Sequence, residues 1–180
     1  MTAPPAVPAT ASARRPGWFT VEDCRLEDFL AVIGRTTDPA DYPYASDVER
    51  DVLIYDCERL RSHLGTADGR QAAAAELARA LSDGPGIVVF RRAFPDTAVV
   101  DRATEAFHEM IAEEREAGRT AGDHFAKPGD NDRVWAAHQK LALRRPEVFA
   151  EYYANDVIAL VSTAWLGPGY QLTSQVNVVN

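Results

Sequence analysis

The stretch Tyr170-Gln171-Leu172-Thr173-Ser174-Gln175-Val176-Asn177-Val178-Val179-Asn180 decides how this 180-residue chain is read. Tyr170, Leu172, Val176 and Val178 share one parity, interrupted by Ser174, while Gln171, Thr173, Gln175 and Asn177 share the other. Extended backbone alternates its side chains across two faces, so a strand here has one apolar and one amide-rich face. Such a strand needs neighbours, because a free-standing sheet generally takes three or more strands with a covered face. Only Val52 to Tyr55 and Ile87 to Arg91 offer further β-prone runs. The sequence then stops on a strand residue with neither turn nor cap, which predicts truncation, with the remaining strands in polypeptide beyond Asn180. The alternative is a complete helical domain carrying a three-stranded sheet.

The amide face admits two readings. Turned outward, Gln171, Thr173, Gln175 and Asn177 are the wet side of an antiparallel sheet. Turned inward, they line the mouth of a small barrel and offer uncharged donors to a carboxylate-bearing ligand.

Upstream, the pattern is mainly helical. Val157, Ile158, Val161, Ala164 and Trp165 follow a cap at Asn155 or Asp156 and end at Gly167-Pro168-Gly169. Pro146 opens a helix over Glu147 to Tyr153, and Val134, His138 and Leu141 mark one face of another that reaches Arg145. Asp96 caps a helix whose stripe is Val99, Val100, Ala103, Phe107, Met110 and Ile111, with Glu105, Glu109, Glu113 and Glu114 toward water. Before it, Ile87-Val88-Val89-Phe90 is a continuous apolar run of the kind expected in a strand buried on both faces, set off by the breaker Asp83-Gly84-Pro85-Gly86. An Ala-rich helix over about Arg70 to Leu81 and a helical patch over Cys57 to Leu64 precede the breaker. A short amphipathic helix carries Leu26, Phe29, Leu30 and Ile33 behind a capping signal at Thr20 and Asp23. Residues 1–17, rich in Ala and Pro, read as a disordered tail, and residues 18–180 as the body of one domain. No internal repeat is present.

Composition limits the partners. Nineteen basic against twenty-seven acidic side chains leave a net charge of −8, the wrong sign for a phosphate backbone, so nucleic acid is excluded. No apolar run is long enough for a membrane span. Cys24 and Cys57 have no zinc or disulfide spacing and read as small buried hydrophobes in a soluble, cytoplasmic protein.

Chemistry is sparse. No H-x-D or H-x-E occurs among the four histidines, so the local half of a two-His-one-carboxylate iron site is missing. Glu105 and His108 give one E-x-x-H, where a di-iron bundle needs two and further glutamates, so a solvated helix face is the better reading. The acidic run Asp38 to Asp51 lacks the order of a calcium loop. No Walker loop, dinucleotide fingerprint or nucleophile elbow is present. His124 and Lys127, in Asp123-His124-Phe125-Ala126-Lys127-Pro128-Gly129, read either as a loop contact to an anionic ligand or as part of a surface turn. Trp135, Trp165 and the Tyr152-Tyr153 pair read as core.

Three stretches carry a resemblance: Asp83 to Asp96; Gly122 to Gly129 with Asn131 to Trp135; and Leu166 to Asn180. Together they make the chain resemble the N-terminal portion of the phytanoyl-CoA dioxygenase family, the non-haem Fe(II) and 2-oxoglutarate dependent oxygenases. The resemblance covers about Leu81 to Asn180. It implies an α+β protein in which a helical N-terminal part supports the first strands of a double-stranded β-helix, or jelly roll. In that family the strand resembling Gln171 to Asn180 leads through a Pro-Gly turn into the H-x-D that binds iron with a distant His, and a later Arg holds 2-oxoglutarate. None of those positions exists in this chain. The resemblance therefore implies part of a dioxygenase that hydroxylates a small organic molecule, with Fe(II) and 2-oxoglutarate as cofactors, no metal ligand of its own and no turnover alone. Gln175 and Asn177 become candidates beside the co-substrate, and His124 and Lys127 candidates for substrate contact. A reading from a different class is a non-catalytic helical interaction module.

Overall fold

A computed structural model of the chain describes residues 18–118, 133–173 and 176–179. By contacts the chain divides into two units, residues 1–36 and 37–180.

In the first unit, Asp23 accepts hydrogen bonds from the backbone N–H and the hydroxyl of Thr20, at 2.8 and 3.0 Å. The capping signal thus closes a 3-10 turn, Val21–Asp23, one step before helix α1, Leu26–Ile33. Leu26, Phe29, Leu30, Val32 and Ile33 are all exposed. Cys24 is exposed as well, which corrects its expected burial: a single turn and a two-turn helix supply too little surface to cover a side chain between them.

The second unit begins with a hairpin of β1, Asp47–Glu49, and β2, Val52–Asp56, paired antiparallel. Its two central residues, Arg50 and Asp51, both have positive φ, 51° and 65°, the turn that matches strand twist but ordinarily selects Asn and Gly. Asp51 is held there from outside, its carboxylate accepting from the Thr37 N–H and its carbonyl from the Thr37 hydroxyl, each at 2.8 Å. Helices α2, Cys57–His63, and α3, Ala67–Ser82, then cross over to β3, Val88–Arg91, which lies parallel to β2. The Ala-rich helix starts earlier than its composition predicts, because Thr66 caps it by accepting from the Gly69 N–H. Beyond α3 only a glycine fits at 84: a Cβ there would lie 2.4 Å from the Tyr42 hydroxyl.

The sheet order is β1-β2-β3, so the strand buried on both faces is β2, with Leu53, Ile54 and Tyr55 at most 4% exposed. The expectation that Ile87 to Phe90 is the doubly buried strand is corrected: β3 forms the sheet edge, with Val89 exposed. An apolar run reports burial potential, and the position in the sheet decides which run realises it.

Helix α4, Ala98–Glu116, starts where Asp96 accepts from the Ala98 N–H and buries Ala103, Ala106, Phe107, Met110 and Ile111. After it come β4, Arg133–Val134, then α5, Ala137–Arg144, α6, Pro146–Tyr153, α7, Asp156–Leu166, and β5, Val178–Val179. Two cores result. One gathers Tyr42, Leu53, Tyr55, Leu60, Ala73, Leu77 and Ala80 beneath the sheet, with Leu160, Val161 and Ala164 of α7 against it. The other joins the buried face of α4 to Val134, Ala137 and Leu141. Trp135 and Trp165, expected in the core, are both half-exposed.

The described residues are thus α+β: seven α-helices, a small mixed three-stranded sheet that does not close, and a two-stranded ribbon. No described helix is long and apolar enough to cross a membrane.

Candidate functional site

The segment expected to be one strand, Tyr170 to Asn180, is regular strand only at Val178–Val179 among its described residues. Its ladder partner there is β4, in the antiparallel register Arg133↔Val179 and Val134↔Val178. A strand extends only as far as a neighbour accepts its hydrogen bonds, and α5 begins three residues after Val134. The pairing carries a little further, since the Ala137 N–H donates to the Val176 carbonyl at 2.7 Å.

This ribbon fixes which parity faces which way. Val176 and Val178 are half-buried, and Val178 packs on the core of α4 and α5, while Asn177 is exposed on the other side. Asn177 Oδ1 accepts from the Ala136 N–H at 3.2 Å. Ala136 needs that support, because it sits at φ 51° and ψ 45°, a left-handed conformation that residues other than Gly, Asn and Asp seldom adopt. Asn177 therefore holds the bend between β4 and α5 through its Oδ1. Gln175, His124 and Lys127 lie outside the described residues.

Glu105 and His108 are both exposed on α4, as a solvated face requires. Among the described residues no three His, Cys, Asp or Glu side chains come together as a metal cage, so these residues do not fit an iron ion by themselves. Burial pushes the Cys57 thiol upward, away from the thiolate form a nucleophile uses.

The structure gathers a second set of side chains that the sequence reading did not group. The Tyr153 hydroxyl and His138 Nδ1 are hydrogen-bonded at 3.0 Å, and burial raises the Tyr153 pKa above its ordinary value. The two rings meet edge to face at 4.8 Å, Phe149 stacks on Tyr153 at 4.9 Å, and Phe94 lies parallel to Tyr152 at 5.8 Å. Asn155 closes this group from below. Its Oδ1 accepts from the Val157 and Ile158 N–H groups, and its Nδ2 donates to the Ala93 carbonyl at 3.0 Å. Beside it, Arg61 grips both oxygens of Asp156 and also donates to the carbonyls of Arg92 and Ala93. That guanidinium holds the Asp156 carboxyl below its usual range. The Tyr152-Tyr153 pair, expected in the core, is half-buried. His138 was readable only as part of a helix face, and Phe94 carried no signal, since its stacking partner Tyr152 lies more than fifty residues further along the chain.

No family model, curated protein or solved structure matches the chain.

Proposed function

We propose that the chain is the N-terminal part of an Fe(II)- and 2-oxoglutarate-dependent dioxygenase of the phytanoyl-CoA dioxygenase family, acting on a small organic molecule. The observation that carries the reading is the pairing of Arg133–Val134 with Val178–Val179, which joins two of the three resembling stretches in one antiparallel ribbon. The apolar parity of that ribbon rests on helical support, the arrangement expected where the first strands of a jelly roll meet the helices behind them. On this reading the jelly roll is completed, and its metal and 2-oxoglutarate ligands are supplied, by polypeptide C-terminal to Asn180. Asn177 stands on the uncovered side of the ribbon with Nδ2 as an uncharged donor toward a co-substrate carboxylate, with Gln175 two residues before it in the same parity. His124 and Lys127 are assigned to an anionic group on the substrate.

The test is the coding sequence beyond the Asn180 codon. The proposal requires a Pro-Gly turn followed closely by H-x-D in frame, the local half of a two-His-one-carboxylate site. A stop codon, or a continuation without that motif, overturns it and favours the non-catalytic helical module.

A further inference from the structure

The hollow between the segment after β3 and the helices α5, α6 and α7 is lined by Phe94, His138, Tyr152, Tyr153, Asn155 and Ile158 and has a volume of about 260 Å³. We propose that it binds a small uncharged molecule carrying one aromatic ring. The inference rests on these residues alone and is independent of the oxygenase reading.

Three features select that ligand. The walls are already set: Tyr153 is fixed by its bond to His138 and by Phe149 stacked on its ring, and Tyr152 by the parallel ring of Phe94. A pocket held in shape before binding spends little of its affinity on ordering side chains. Among the described residues the lining holds no Lys, Arg, Asp or Glu, so an ion entering it would lose water and gain no counter-charge from them. The Asn155 Oδ1 is committed to the start of α7 and its Nδ2 donates to the Ala93 carbonyl, so aromatic surface is the main contact the lining offers. Aromatic walls favour a planar guest over an aliphatic one, because ring edges and faces carry opposite partial charge and pack in offset or edge-on geometry. The volume lies below the roughly 300–1,000 Å³ of sites for drug-sized ligands, which limits the guest to a single ring.

Benzyl alcohol is the neutral probe and benzoate its anionic counterpart of nearly the same shape. Carbon-edited NMR of the 180-residue chain, following the Ile158 methyls and the Tyr152 and Tyr153 rings, should show saturable shifts with a dissociation constant of about 1 mM. Benzoate should bind at least about tenfold more weakly. Ile158 is 48% exposed, so Ile158→Trp should fill the hollow without unfolding the protein and abolish the shifts. Absence of saturation, equal binding of benzoate, or unchanged binding by a folded Ile158→Trp variant each overturns the proposal. Intermolecular NOEs between the benzyl ring and Ile158 or Tyr153 in the unaltered protein decide the matter if that variant does not fold: their presence supports the site and their absence refutes it.

Discussion

The two cores of the second unit solve different problems. The sheet-side core takes in an acidic side chain. Glu76, 2% exposed, accepts from the Tyr44 N–H at 3.1 Å and from the Tyr55 hydroxyl at 3.0 Å, so a carboxyl group is satisfied inside by two donors from distant parts of the chain. The α4 core is apolar throughout and keeps its charges at the rim, where Lys140, Arg144 and Arg145 pair with Glu114, Glu113 and Glu109. A dry core needs only volume and patterning. A core with a buried carboxyl group admits one arrangement, because any other leaves polar groups unpaired. The Asn155-Asp156 corner ties the two regions together through Ala93, Arg92 and Arg61.

That contrast can be broken first by volume. Leu77→Ala in the sheet-side core and Leu141→Ala in the α4 core each remove a side chain with no exposure, and each should cost about 2–5 kcal/mol in urea denaturation. With the corner intact, both variants should still unfold in one transition. Two transitions from either would show that the cores are separate folding units.

Removing the buried carboxyl group comes next. Glu76→Ala strands the Tyr55 hydroxyl and the Tyr44 N–H and should cost about 1–3 kcal/mol for each group left unpaired. Glu113→Ala at the rim of the other core, where the side chain is 58% exposed, should cost under about 1 kcal/mol, as exposed ion pairs do. Equal losses would erase the distinction between the cores.

The smallest effect is a pH dependence at the corner. The folded pKa of Asp156 is lowered, chiefly by its hydrogen bonds from Arg61. Its contribution is therefore present above the unfolded value of about 3.9 and is lost as pH falls through the folded value. The carboxylate is 55% exposed, so the contribution is under about 1 kcal/mol. The stability difference between the unaltered protein and Asp156→Asn should be constant from neutral pH down to about 5 and shrink below about 4. A difference that grows on acidification would contradict the assigned direction.

Much of the architecture was legible because it is local. Asn155 and Pro146 announce helix starts, and the stripe of α4 repeats at helical spacing; Asp96, expected as the cap of α4, sits one residue before the N-cap Thr97, though its carboxylate still accepts from the Ala98 N–H. What stayed hidden is non-local. Nothing around Ile87 to Phe90 reveals that it takes the sheet edge, since that depends on where β2 is placed. Thr66 is invisible as a cap while Asp68 and Gly69 dilute the helical pattern behind it. The alternation in 170–180 was readable, yet the partner at Arg133–Val134 was not, because two residues carry no β signal. At the candidate site, the parity of Asn177 became fixed only through the contact of Val178 with the α4 core.

The proposal at stake is that the ribbon of Arg133–Val134 and Val178–Val179 belongs to an iron-dependent oxygenase whose metal ligands lie outside this chain. An anaerobic Fe(II) titration with 2-oxoglutarate, run on the product of the complete reading frame and on the 180-residue chain, tests it most directly. The account predicts a visible metal-to-ligand charge-transfer band from the former and none from the latter. A band from the 180-residue chain alone, or none from the complete product, would contradict it.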